Sequence, residues 1–127
     1  MILVDTSVWI DHLRSGDEDL VGLLNSTQVL SHPFVVGELA CGNLRNRVEV
    51  LTLLRELPQV TVATDAEVLY FIEQHELTGR GIGYIDAHLL AAVSLAAPAR
   101  FWTRDKRLAA VAADLGLAYE GGKQGTR

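Results

Sequence analysis

The chain has 127 residues, the usual size of one domain, and its 49% hydrophobic and 21% charged residues exclude a disordered tail or a polybasic arm. Its net charge of −5, from 16 acidic and 11 basic side chains, lacks the basic balance that is usual for a nucleic-acid-binding protein. The single cysteine, Cys41, excludes an intrachain disulfide and a zinc site built from several cysteines.

Short apolar runs alternate with helical stretches through the first half of the chain. The run MILV at the start predicts a buried strand, and the residues after it are typical of a helix N-cap. The predicted elements are, in order, strand 1–4, a helix from Thr6 or Ser7 to about Arg14, a helix over 17–24, strand 28–31, a helix from Pro33, and a helix over 46–57 that ends before Pro58.

The same alternation continues through the second half. Thr64 and Glu67 form the pattern of a capping box, which opens a helix, and Gly116 is typical of a helix end. The predicted elements are, in order, strand 60–62, a helix from 64, a glycine-containing loop over 79–83, a long apolar helix over 84–97, strand 100–103, a helix over 105–115, and strand 117–119.

This order of elements predicts an α/β fold, with a parallel sheet of four to five strands flanked by helices on both faces. We expect one domain over 1–120 and a flexible C-terminal tail over 121–127. No apolar run approaches 18 residues, and the opening segment carries Asp5 and Asp11 and no Lys or Arg before Arg14. A membrane span and a signal peptide are therefore not expected. We expect the protein to be cytoplasmic.

Four acidic residues occupy places where a ligand site is expected. Asp5 and Asp105 each follow a predicted strand, where parallel sheets bind ligands, and Glu38 and Asp86 interrupt apolar stretches. If these carboxylates converge, each pair about 4 Å apart repels by about 4 kcal/mol at an effective dielectric near 20. A hard cation would relieve that repulsion, and oxygen ligands suit Mg²⁺ or Mn²⁺.

Each acid also has a purely structural interpretation. Asp5 and Asp105 can cap the helices that follow them, and Asp86 can interact with a helix dipole. Glu38 can face water from a helix whose other side is apolar. Only the set of four favours a metal site over these alternatives.

Several other side chains are candidates for contacts. Four basic residues near the glycine loop and near Asp105 can contact a phosphate backbone, although solvated surface charges would show the same pattern. Trp9 and Trp102 are expected to be core residues, and Cys41 a small buried one. The candidate RNA-contacting residues are Arg80, Arg104, Lys106 and Arg107.

The four acidic segments resemble those of a known family. MILVDTSVWIDHL, FVVGELACG, GYIDAHLLAA and FWTRDKRLAAVAADLGL occur in the family's order and cover nearly the whole chain. The sequence resembles the PIN-domain ribonucleases, specifically the VapC toxins of VapBC toxin–antitoxin pairs. The resemblance implies a PIN fold and an endoribonuclease that depends on Mg²⁺, with Mn²⁺ as a substitute.

The resemblance also implies roles for particular residues. Asp5, Glu38, Asp86 and Asp105 are the catalytic acidic quartet, with Asp5 and Asp86 as metal ligands and Asp105 acting directly or through water. Glu38 would hold a metal or orient a water molecule. The hydroxyls that position these acids are those of Thr6, Ser7 and Thr103.

One position departs from the family pattern. Some members carry a further acid two residues after the fourth one, where this chain has Arg107. We therefore expect a one-metal site that gains a second ion only with substrate.

The resemblance further implies partners: an RNA substrate, a VapB-like antitoxin whose basic side chain blocks the acidic pocket, and a second copy of the chain in a homodimer. Two alternatives remain. The first is a catalytically silent PIN domain that binds RNA or protein. The second is a phosphotransfer enzyme with Asp5 as nucleophile, although the second acid of the DxD motif is missing. No motif identifies the RNA.

Overall fold

Three parallel strands form the central sheet. In the computed structural model, which describes residues 1–121, these are β1 (Ile2–Val4), β2 (Val29–Leu30) and β3 (Arg100–Trp102). The spatial order is β2–β1–β3, with Ile2 aligned to Val29 on one side and to Arg100 on the other. The central strand is buried along its whole length, as its continuous apolar run predicts.

The α/β class and the parallel sheet are confirmed, but the sheet has three strands rather than four to five. The two missing strands are reduced to single parallel bridges at the sheet edges, one between Ser31 and Gln59 and one between Phe101 and Ala118. In each case the backbone pairs for only one residue before the chain turns away.

Seven helices cover the sheet within residues 1–121, and each was predicted to within a few residues. Apolar positions on α6 are buried almost continuously, which makes it the central helix of the core. The helices are α1 (Thr6–Ser15), α2 (Glu18–Asn25), α3 (Pro33–Ala40), α4 (Arg47–Glu56), α5 (Asp65–Gln74), α6 (Tyr84–Leu95) and α7 (Lys106–Asp114).

Local signals in the sequence account for several helix ends. Thr64 and Glu67 form both bonds of the predicted capping box at the start of α5. Pro33 lies in the first turn of α3. Gly116 has a φ of 73° just after α7, a backbone conformation that favours glycine.

Trp9 and Trp102 are buried in the core, as predicted. The expectation for Cys41 is wrong, because this residue is exposed just beyond α3. Within residues 1–121, no helix combines the length and the apolar character needed to cross a bilayer. The tail predicted at 121–127 lies outside the described residues except for its first one.

Candidate metal centre

Asp5 is a buried carboxylate that its helix does not use as a cap. It stands at the N-cap position of α1, but within residues 1–121 its side chain accepts no backbone N–H of that helix. Its Oδ2 instead accepts the hydroxyls of Ser7 and Thr103, each at 2.8 Å. The structural interpretation of Asp5 as a cap is therefore not supported. Two donors fix the carboxylate at the carboxyl edge of the sheet.

Asp86 lies in the first turn of α6, where its Oδ2 accepts the backbone N–H of Gly83 at 3.1 Å. Burial raises the pKa of the Asp86 carboxyl, and the Gly83 bond opposes that shift. The negative charges of Asp5, Asp105 and Glu38 raise this pKa further. The charges of the other three predicted acids therefore all act on Asp86, although the four residues come from four separate segments.

Glu38 and Asp105 complete the group from its exposed side. Glu38 lies on α3, and its Oε1 accepts the hydroxyl of Thr6 at 2.6 Å. Asp105 caps α7, because its Oδ1 accepts the N–H of Leu108 at 3.0 Å. The interpretation of Asp105 as a helix cap is thus correct for its Oδ1. Its other oxygen, Oδ2, is available to a ligand.

The three predicted hydroxyl residues all lie beside an acid. Thr6 donates to Glu38, and Ser7 and Thr103 both donate to Asp5. The Ser7 and Thr103 oxygens are also 3.3 Å apart, so they form one network around Oδ2 of Asp5. Such a network fixes the orientation of a carboxylate before any ligand arrives.

The acids do not form a closed cage by themselves. Between residues 1 and 121, no three Asp, Glu, His or Cys side chains are grouped closely enough to hold an ion alone. The all-oxygen donor set still fits Mg²⁺ or Mn²⁺, because Mg²⁺ is usually held by one or two carboxylates and keeps several waters. Such a cation would offset the negative charges of Asp5, Asp105 and Glu38, which raise the pKa of Asp86.

The four candidate RNA-contacting residues differ in their surroundings. Arg80 forms an ion pair with Asp114 at 2.7 Å, and Arg104 forms ion pairs with two acids. The Arg107 side chain packs against Gly81. Lys106 is exposed and has no ion-pair partner in the described chain. Within the described chain, Lys106 is therefore an exposed cation next to Asp105 that is not engaged in an ion pair.

Gly81 lies in the loop that leads to Asp86, and we expect Gly81→Ala to destabilise the protein more than Gly79→Ala. Both glycines have positive φ, 83° and 77°, so both substitutions carry backbone strain of about 1 kcal/mol. Only at Gly81 would a Cβ meet a neighbour, the Cδ of Arg107 at 2.7 Å. Thermal unfolding of both variants checks this, and equal losses would show that Arg107 does not confine the loop.

Two histidines, His32 and His88, are buried and both pack against Phe34. His32 caps α3 through Nδ1, which accepts the Phe34 N–H at 3.0 Å, and His88 contacts Asp65 at 3.2 Å. Burial, and then the charge of His88, lowers the pKa of His32 to about 4. His32 stands directly before Pro33 at a predicted helix start, and this position was the sequence signal that His32 could cap the helix.

A groove adjoins the acidic group. It has a volume of about 680 Å³ and runs between α1, α3 and the start of α4, with Glu38 at its edge. Its apolar lining includes Ile10, Leu13, Leu44 and Val50. The groove can take an extended or helical segment that also reaches the acids.

Comparison with known proteins identifies the family. The PIN domain family matches residues 2–114. Two curated relatives, both named Ribonuclease VapC32 and both from Mycobacterium tuberculosis (strains CDC 1551 / Oshkosh and ATCC 25618 / H37Rv), are each 52% identical to this chain over 118 residues. Each match covers 93% of this chain and 95% of the relative. The chain therefore belongs to the PIN domain family, within its group of VapC ribonucleases.

Proposed function

We propose that the chain is a divalent-metal-dependent endoribonuclease that hydrolyses RNA phosphodiester bonds, and that it acts as the toxin of a type II toxin–antitoxin pair. The observation that carries this proposal is the environment of Asp5. Two hydroxyls orient its buried carboxylate, no helix uses that carboxylate as a cap within the described residues, and its charge acts on Asp86. The similarity to proteins named ribonucleases supports RNA as the substrate.

Each acid has a distinct part in this proposal. Asp5 and Asp86 are the direct ligands of Mg²⁺ or Mn²⁺, because both are partly or fully withdrawn from solvent. Glu38 is exposed and held by Thr6, which suits it to orient the attacking water. Asp105 contributes through its free oxygen, directly or through water.

Mg²⁺, when bound, supplies positive charge at the scissile phosphate and lowers the pKa of water. The side chains of this chain hold the metal ligands in position. Ser7 and Thr103 hold the Asp5 carboxylate in one orientation, so binding requires little reorganisation. Because Arg107 occupies the position of a further family acid, we propose one resident ion and a second that arrives with RNA.

A cleavage assay with the purified chain and structured and unstructured RNA tests the proposal. We expect internal cleavage with Mg²⁺ or Mn²⁺ and none with EDTA. Because the acids form no closed cage within residues 1–121, a silent RNA-binding PIN domain is the second candidate. RNA binding without cleavage under any divalent ion would favour that candidate over the nuclease.

We expect Lys106→Ala to raise KM for RNA by several-fold and to leave kcat nearly unchanged. Lys106 is exposed next to Asp105, so its ammonium can contact a phosphate without leaving an ion pair in the described structure. The slope of log binding constant against log salt should also fall by about 1. Cleavage kinetics at two salt concentrations check both effects. If the salt dependence of binding is unchanged in Lys106→Ala, Lys106 does not contact the RNA backbone.

A VapB-like antitoxin is the proposed partner. The groove beside Glu38 supports it, since an apolar segment can fill the groove while a basic side chain reaches the acids. The chain is proposed to act in the cytoplasm as a homodimer. Co-expression with the protein encoded next to it, followed by purification and cleavage assays, tests whether a complex forms and whether that complex is inactive.

A further inference from the structure

Arg104 connects the loop that carries Thr103 and Asp105 to the helix that follows Asp5. Its Nε lies 2.8 Å from Oδ2 of Asp11 on α1, and its Nη2 lies 2.5 Å from Oδ2 of Asp17 at the start of α2. One guanidinium therefore bridges two elements with two of its nitrogens. Planar guanidinium groups suit such double pairing better than a lysine ammonium does.

The backbone of Arg104 contacts the same face of α1. Its N–H donates to Ser7 Oγ at 3.0 Å, and Ser7 donates in turn to Asp5. Ser7 and Asp11 are four residues apart in α1, so they lie one turn apart on one face of the helix. The loop is thus attached to this face twice, once through its backbone and once through its side chain.

The neighbours of Arg104 limit its freedom to move. Its guanidinium carbon lies 5.6 Å from the ring centre of the buried Trp102, and its side chain is only 33% exposed. Asp17 is also held, because its N–H donates to His12 Nδ1 at 3.0 Å and its Oδ1 caps α2. A network of fixed charges retains more of its attraction than an isolated surface pair.

We propose that Arg104 is a positioning residue that holds Thr103 and Asp105 against Asp5, and that it does not bind RNA. This inference rests on the proposed nuclease function. It replaces the expectation that the Arg104 guanidinium contacts phosphate, since both of its charged contacts are already made within the chain. Loss of the bridge would loosen the loop and weaken the metal site.

The test compares Arg104→Ala, Asp17→Asn and their double variant in cleavage kinetics and in Mn²⁺ titration calorimetry. Asparagine keeps the N-cap of α2, so Asp17→Asn removes the ion pair and little else. We expect Arg104→Ala to lower kcat and Mn²⁺ affinity by about 10-fold with KM unchanged. Asp17→Asn should act in the same direction, and the double variant should lose no more than Arg104→Ala alone.

Lys106→Ala is the matched comparison, because removal of a phosphate contact should raise KM instead. The inference is overturned if Arg104→Ala raises KM at unchanged kcat, or if Asp17→Asn lowers KM by releasing Arg104 to RNA. If Arg104→Ala does not fold, Asp11→Asn and Asp17→Asn carry the same test. A wild-type chain that neither binds Mn²⁺ nor cleaves RNA would instead contradict the nuclease function itself.

Discussion

Asp5→Asn is expected to abolish RNA cleavage, by at least about 100-fold, while the protein remains folded. Asparagine has nearly the same shape, and its carbonyl oxygen can still accept the hydroxyls of Ser7 and Thr103. The substitution therefore removes the negative charge and preserves the local packing. Cleavage rate and thermal unfolding, measured on the same preparation, separate the two effects.

Glu73→Gln is the control for this variant. It also neutralises one acid, but Glu73 is exposed on α5 and belongs to no part of the proposed site. If Asp5→Asn cleaves RNA at the wild-type rate, the Asp5 carboxylate is not a ligand of the metal. Loss of activity together with loss of folding would assign Asp5 a structural role instead.

Protonation of His32 is expected to cost the protein about 3 kcal/mol of stability between pH 6.5 and pH 4. The pKa of His32 is about 4 in the folded chain and about 6.5 when unfolded, so the unfolded chain binds the proton first as the pH falls. The contribution of His32 to stability is therefore present above pH 6.5 and is lost as the pH falls towards 4. The physical cause is that burial, and then the charge of His88, disfavours the protonated ring in the folded chain.

Urea unfolding at several pH values measures this dependence, and His32→Asn is its control. Asparagine is a good N-cap that does not titrate, so the variant should lose most of the decline between pH 6.5 and pH 4. The variant will be less stable at neutral pH because the side chain it replaces is fully buried. If the free energy of unfolding depends on pH equally in wild type and His32→Asn, the decline does not come from His32.

Much of the fold could be predicted because its signals are local. The capping box at Thr64, the proline at 58 and the glycine at 116 each act within one turn of the chain. The number of strands could not be predicted in the same way. Whether Gln59 and Ala118 continue a ladder depends on backbone partners from distant segments, and each makes only one bridge.

In the candidate site, too, the residues within short local motifs could be predicted, and the contacts between distant segments could not. The four acids and their hydroxyl partners were found because short motifs carry them, and in the structure the charges of the other three acids act on Asp86. The partners of Arg104 were not found, because Asp17 lies 87 residues away and no motif joins the two. Cys41 was misplaced because α3 buries Val35 and Leu39, four residues apart, and Cys41 falls outside that stripe.

The account depends most on the claim that the carboxylates repel one another until a cation joins them. Thermal unfolding of wild type and Asp86→Asn, with and without Mn²⁺ at neutral pH, tests it directly. Burial and three neighbouring carboxylates raise the pKa of Asp86, so its ionised form destabilises the metal-free fold. The asparagine side chain can still accept the Gly83 N–H, so Asp86→Asn mainly removes the charge, and with it both the cost of burying that charge and its repulsion by the other acids.

We expect metal-free Asp86→Asn to melt above wild type at neutral pH, with the difference shrinking as acid protonates Asp86. Mn²⁺ at 100 times its Kd should stabilise wild type by about 2.7 kcal/mol, and the variant by much less. Glu73→Gln should behave as wild type in both conditions. A metal-free Asp86→Asn that melts no higher than wild type, together with an equal response of both to Mn²⁺, would contradict the account.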